Sequence, residues 1–588
     1  MMNKISNGKK KVLATKLIGL SFVICNLSMT IACKDFLYDD SDIVTYSDKE
    51  FLNSDADTLW SVVGIMNKMQ TIADRTILLG ELRGDLVTVT PNADADLRDV
   101  SLFTIGADNK YHDPTDYYAI INNCNYFIAK ADTALRNNRN ETIFMKEYAA
   151  VKAYRAWTYL QLALVYGRVP LVTEPIVSME QSEQSFPLYG IDDICQYFIT
   201  DLAPYAEIEH PGYGTIRNTD SKLFYFPIYV LLGDLNLWAG HYREAAENYY
   251  KYISQRNGRN SSYPISINAV RFLANDSHWM STADSWSMMS FDNETYSINS
   301  ELITMIPGDS IPSEGNYSEL RDLFNTNERN EFKESILPSQ QLYQLSAAQR
   351  YCHYTSGGEY VFSPDGLENH LSGDLRLQAS FSQTNVNMML NGKRVTNYVT
   401  NRKYATRNVH LYRRSMVYLR MAEALNRAGF PRFAFQILKS GVNNSVIESE
   451  VIPYYPSDEA WLRTFDFPDN IYVLETTAGG SNENTMGIHS RGCGYSNANT
   501  SYVLPDDEKL DDAQRLQYQT VMVENLILDE AALEFAFEGH RYYDLMRIAL
   551  RRNDPSFLAG HVARRNGTLD NALFQKLSST DNWYIKLE

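Results

Sequence analysis

Residues 229–250 read YVLLGDLNLWAGHYREAAENYY, and the way this stretch folds constrains everything around it. Tyr229, Leu232, Leu235, Asn236 and Ala239 recur at three- and four-residue intervals; after Gly240, Tyr242, Ala245, Ala246 and Tyr249 do the same. The spacing predicts two antiparallel helices that turn at Gly240, with Pro227 near the first helix's start, where a residue lacking an N–H is tolerated. One such hairpin cannot bury its apolar face alone, so further helix pairs must stack on it.

Leu232, Gly233, Gly240, Tyr242, Ala245 and Tyr249 stand at offsets that resemble the tetratricopeptide repeat, in which small residues let two helices touch and aromatics fill the gaps. Residues 411–439 repeat the design: Gly429 and Ala434 keep the five-residue interval of Gly240 and Ala245, although Pro431 replaces the aromatic. Helical periodicity also covers 58–77, 113–135, 147–166 (stopping at Gly167), 191–205 and a single long run, 527–551. Cys124 and Cys195 lie on apolar helical faces, which predicts buried thiols. Cys352 and Cys493 lie in loop-like stretches, and whether they pair is open at this level. Trp157 and Trp238 recur with other apolar residues at helical spacing and read as core.

The chain has 588 residues, of which 44% are apolar and 12% aromatic, enough for a large packed core. Lys9, Lys10, Lys11 and Lys16 precede the apolar run 17–27, which is too short to span a membrane and suits a secretory signal. Met29-Thr30-Ile31-Ala32-Cys33 then resembles a bacterial lipobox, so residues 1–32 read as a lipoprotein signal peptide and Cys33 as the lipidated mature N-terminus. Residues 34–57 are polar and acidic and read as a tether. Removing 1–32 takes five lysines and no acid, so the net charge of -18 becomes -23. A chain this acidic, without a basic face, excludes nucleic acid as a partner.

Two stretches lack a sustained helical period. Residues 261–330, rich in Ser, Asn, Asp and Gly, interleave Trp279, Trp286, Phe291, Tyr296 and Tyr317, and 448–511 contain Gly-rich runs but no phosphate-loop motif. Long structureless segments in a folded chain are usually functional. A sugar ring offers an apolar face and a rim of hydroxyls, so aromatics beside amides, carboxylates and Arg are the chemistry that binds it. Trp279, Trp286 and Tyr296 with Asn275 and Asp276 supply this chemistry; the loop 81–114 adds Arg83, Asp85, Phe103, Tyr111 and His112. In 527–551, Glu534, Glu538, Arg541, Asp544 and Arg547 share one face at helical spacing, and Arg541 and Arg547 at i+3 make ion pairs a better account of the carboxylates than acid–base catalysis. No GxSxG, HExxH or zinc spacing is present, and no cofactor or metal is expected.

The lipobox followed by Lys34-Asp35-Phe36-Leu37, the run RAWTYLQLALVYGRVPLV from Arg155, YLRMAEALNRAG from Tyr418 and LEFAFEGHRYYDLMR from Leu533 look like the SusD/RagB family of outer-membrane lipoproteins. The departure is Ala531 after Glu530, where the family often has Glu-Arg, which puts one ion pair in doubt. The resemblance implies a mainly α fold, with tetratricopeptide-like helix pairs forming a right-handed superhelical scaffold with long irregular binding loops. It implies one domain over 33–588, with its first helix pairs in 33–260 and its binding loops and last pairs in 261–588. It also implies a lipid-anchored position on the cell surface, an oligosaccharide ligand, and a TonB-dependent outer-membrane transporter to which the ligand is delivered. Some members of the family handle peptides, which is the alternative ligand; a surface hydrolase is the third reading.

Overall fold

Helix follows the 3.6-residue apolar period along most of the chain. The computed structural model describes residues 55–216, 219–254, 256–257, 260–261, 270–275, 278–284, 291, 301–308, 317–354, 358, 360–363, 373–467, 487–494 and 499–587. The signal peptide, Cys33 and the tether fall outside these residues.

The first helices are α1 (Asp55–Glu81), α2 (Ala95–Leu102), α3 (Thr115–Lys130), α4 (Met145–Tyr166), α5 (Ile191–Leu202), α6 (Ile228–Ala239) and α7 (Tyr242–Ser254). After the irregular stretch come α8 (Arg414–Arg427), α9 (Pro431–Lys439), the single turn α10 (Ser490–Cys493), α11 (Asp512–Phe535), α12 (Arg541–Arg552), α13 (Pro555–Ala563) and α14 (Asn571–Leu577). Neighbours pack in succession from α3 through α9 to α11 and α12, and α12 then lies against α1, so the last helices close back on the first.

The α6–α7 hairpin shows why small residues are needed where helices touch. A Cβ at Gly233 would sit 2.4 Å from the Tyr249 ring, and Gly240 takes the left-handed conformation at the turn (φ 82°). The Tyr249 hydroxyl donates to Asp234 at 2.6 Å; the same buried carboxylate receives the Tyr412 hydroxyl and the Arg420 guanidinium, each at 2.6 Å, which ties the hairpin to α8. Trp157 is 1% exposed and stacks on Phe226 at 4.8 Å; Trp238 is 5% exposed. Cys124 and Cys195 are buried, as their helical faces predict.

Strands fill part of the stretches that lack a helical period. They are β1 (Val87–Val89), β2 (Val270–Asn275), β3 (His278–Asp284), β4 (Leu302–Ile306), β5 (Ile336–Pro338), β6 (Tyr351–Tyr354), β7 (Tyr360–Ser363), β8 (Phe381–Leu390), β9 (Lys393–Asn401) and β10 (Val409–Arg413). All pair antiparallel in twos: β1 with β5, β4 with β10, and the hairpins β2–β3, β6–β7 and β8–β9.

Two expectations are corrected. The loop 81–114 contains the helix α2, capped by Asp94, whose side chain accepts from Leu97 N at 2.8 Å. The run 527–551 is two helices, broken at 536–540, where Phe537 (φ 73°) and Gly539 (φ 81°) turn left-handed. The break is fixed from far away in sequence: the Glu81 carboxylate accepts from Phe537 N at 2.8 Å and Gly539 N at 2.9 Å, and Gly80 packs against Gly539 where a Cβ would collide.

Candidate ligand-binding site

Three irregular stretches meet at α10. The β2–β3 hairpin and β6 both pack beside it, Cys352 of β6 forms a parallel bridge with Gly494, and Leu375 N donates to Gly492 O at 2.9 Å. Glycine is required there: a Cβ at Gly492 would lie 2.5 Å from the Asp374 carboxylate and Arg376 Nε, and one at Gly494 would lie 2.0 Å from Cys352 O. Cys352 and Cys493 are both buried free thiols, and Cys493 Sγ donates to Asp374 Oδ2 at 3.4 Å.

Beneath α10 lies a buried lattice of charge. Arg491 binds both oxygens of Glu301 (3.0 and 2.8 Å) and contacts Glu534 at 3.2 Å. Arg413 holds Glu301 at 2.6 Å and Glu538 at 2.8 Å; Lys403 holds Glu538 at 2.6 Å. Arg376 pairs with Asp374 at 2.7 Å, Glu530 at 2.6 Å and Glu534 at 2.9 Å, and His489 meets Glu530 at 2.9 Å. None of these side chains is more than a tenth exposed. Burial alone would push the carboxyls up, but the guanidiniums overcome it: Arg491, Arg413 and Arg376 hold Glu534 far below the usual range, and Arg413 with Lys403 holds Glu538 at about 2. The network fastens the roots of the loops (Glu301, Asp374, Arg491) to α11, so it anchors a site without itself being open to a ligand.

The ion pairs differ from the helical-face expectation. Glu534 and Glu538 pair across the fold with Arg376, Arg413, Arg491 and Lys403, while Arg541 binds Asp85 (2.6 and 3.0 Å). Arg547 does pair with Asp544 at i+3 (2.8 Å) but also grips Glu423 at both oxygens. The cause is the break at 536–540, which turns α12 away from the face of α11. Glu530, despite Ala531, is paired.

Of the sequence-level candidates, Asn275 and Trp279 fall at the tip of the β2–β3 hairpin, where Asn275 opposes His278 and Trp279 opposes Ala274. Asp276, Trp286 and Tyr296 lie outside the described residues. Arg83, Asp85, Tyr111 and His112 are committed elsewhere. Arg83 is 1% exposed, donates to Leu79 O, Trp583 O and the Tyr543 hydroxyl, and lies over the Tyr542 ring at 4.2 Å. Asp85 is fully buried, and despite burial Arg541 and His561 hold its carboxyl far below the usual range. Tyr111 is buried, and His112 Nε2 meets Lys586 O at 3.0 Å. Arg83, Asp85 and His112 join the N-terminal helices to the C-terminal segment. Arg491, Glu301 and Arg376 were not singled out; the Arg491-Gly492-Cys493-Gly494 run was the available signal.

A void of about 40 Å³ inside the helical layer, lined by Trp157, Gln161, Asp234, Trp238 and His540, has room for water and not for a sugar ring. The loop cluster at α10, which the hairpin bearing Asn275 and Trp279 joins, is the candidate site.

Residues 506–584, which carry α11 to α14, match the SusD family. A SusD superfamily protein from Bacteroides vulgatus ATCC 8482 shares the fold over 91% of this chain and 96% of its own, at a TM-score of 0.56 and 14% identity. The chain thus shares the fold of SusD superfamily proteins, and its C-terminal segment matches the SusD family. A further SusD superfamily protein, from Bacteroides thetaiotaomicron VPI-5482, aligns over 84% of this chain and 89% of its own (TM-score 0.52, 14% identity). A SusD-like carbohydrate binding protein from Bacteroides fragilis NCTC 9343 aligns over 85% and 87% (TM-score 0.51, 13% identity). No curated protein matches the chain.

Proposed function

We propose that this chain is a member of the SusD/RagB family and a glycan-binding lipoprotein, anchored at the cell surface through Cys33, that captures oligosaccharides and passes them to a TonB-dependent outer-membrane transporter. What supports the reading is that Asn275 and Trp279 belong to the β2–β3 hairpin, whose strand β2 packs against α10. An aromatic residue and an amide residue in one hairpin supply the chemistry a pyranose requires. The carbohydrate-binding description of the Bacteroides fragilis relative supports the same ligand class. Glu534 and Glu538 are consumed by internal cations, which supports binding without turnover.

Calorimetric titration of Trp279→Ala and Trp286→Ala, paired with thermal melts, tests the site. Each variant is expected to melt like the parent while losing about 2 kcal/mol of oligosaccharide binding, near thirtyfold in Kd. Parental affinity in both variants would remove these rings from the site.

A further inference from the structure

The β8–β9 hairpin turns at Asn391-Gly392, both left-handed (φ 48° and 78°), the geometry a two-residue Asn-Gly turn favours. Its strands are not equivalent. β9 buries Val395 and Val399, and its backbone is bonded to Thr326, with Thr326 N donating to Val399 O at 2.9 Å and Val399 N to Thr326 Oγ1 at 2.8 Å. Among the described residues β8 pairs only with β9. Among the described residues no backbone hydrogen bond joins its outer edge to another element. From Ser382 to Met389 every residue is exposed except half-buried Val386; Met388 is 42% and Met389 65% exposed.

Natural proteins blunt such edges with Lys, Pro, inward charge or short length, because a row of unpaired N–H and C=O groups recruits other strands. β8 is ten residues long and contains no charged residue, Pro or Gly; a register shift between Asn385 and Met388 is its irregularity. Charge adds direction. Residues 381–401 hold no acid, and their two cations, Lys393 and Arg394, sit together at the turn of a chain whose net charge is -18. Lys393 meets Glu331 at 2.5 Å, but both side chains are about half exposed, so an incoming carboxylate competes readily.

We propose that the outer edge of β8 is a docking strand for an extended segment of another protein. That segment is uncharged where it runs along Ser382 to Asn387 and carries a carboxylate where it reaches Lys393 and Arg394. Main-chain hydrogen bonds supply the affinity and the end charges set the direction. A second copy of this chain does not meet the requirements. The corresponding hairpin of a second copy, residues 381–401, offers no carboxylate to Lys393 and Arg394, and two chains of this net charge repel. The inference stands apart from the glycan reading, since it concerns a different element.

The test is amide hydrogen exchange over residues 382–389 of the full chain with an acetylated eight-residue Thr-Val repeat ending in two Asp, at millimolar concentration. Exchange is expected to slow at least tenfold, to slow much less when the peptide is N-methylated at alternate residues or ends in two Lys, and to lose its response in Val386→Lys, which melts like the parent. Unchanged exchange with the Asp peptide, or equal protection by its N-methylated form, would overturn the proposal. Protection that grows with protein concentration alone would assign the edge to a second copy and overturn it as well.

Discussion

Arg491→Met keeps much of the side-chain volume of α10 and removes the guanidinium that bridges Glu301 and Glu534. Taking one partner from a buried ion pair costs about 3–5 kcal/mol, chiefly because a charge is left uncompensated. Here both carboxylates retain Arg413, at 2.6 and 3.2 Å, and Glu534 retains Arg376 at 2.9 Å, so the expected loss is near the lower limit, about 3 kcal/mol. For the unit Asn53–Glu588, an unfolding entropy of about 2.1 cal/mol/K per residue converts this to a fall in Tm of about 3 °C. The pH dependence is also fixed. Glu301 and Glu534 titrate below their ordinary 4.5 in the folded chain, so their stabilisation is complete above that pH and is lost as pH falls toward the folded values. The deficit of Arg491→Met should therefore be full at pH 6–7 and narrow in acid, and Glu301→Gln added to it should recover part of the loss. Thermal melts from about pH 3.5 to 7 read both effects. A variant that melts with the parent at neutral pH, or whose deficit widens in acid, would refute the account of the network.

Other perturbations separate anchor, core and titration. Replacing Cys33 with Ala should release the protein from membranes into the soluble fraction; retention like the parent's would refute lipid anchoring there. Trp157→Ala and Trp238→Ala should each cost about 3–5 kcal/mol in chemical denaturation, as truncations of buried aromatics do; a loss below 1 kcal/mol would contradict their core role. Burial pushes His410 down to about 4, so NMR should find its ring neutral at pH 5.5. The unfolded chain then binds the extra proton, and stability should fall as pH drops from 6.5 toward 4, by up to about 1.4 kcal/mol per pH unit from this group. A ring that titrates near 6.5 would contradict this.

Helices were legible from apolar residues at helical spacing: α7 buries one face, Ala245, Ala246, Tyr249 and Ile253, whereas α4 and α6 are enclosed nearly all round and carry the same spacing within a longer apolar run. The break between α11 and α12 was not. Gly539 is a local hint, but the turn is held by Glu81, which reaches it across more than four hundred and fifty positions of sequence. Arg83 and Asp85 misled for the same reason: polar residues in a loop-like stretch look solvent-facing until Trp583 and Arg541 arrive from the far end of the chain. Trp279 and Asn275 are proposed on an aromatic and an amide in polar sequence, whereas Glu301 and Arg491 gave no periodic signal because they pair between two irregular segments. The β8–β9 hairpin carried an Asn-Gly signal between runs of Val, Thr and Met, which a search for helical periods passes over.

The central claim is that loops fastened at α10 hold an oligosaccharide without cleaving it. Titration of the full wild-type chain with a panel of oligosaccharides and a matched panel of peptides, followed by chromatography of the ligand recovered, tests it most directly. The account predicts saturable binding of at least one oligosaccharide, recovered intact, and no peptide that displaces that oligosaccharide. Failure of every oligosaccharide to bind, displacement of the bound oligosaccharide by peptides, or recovery of shortened glycan would contradict it.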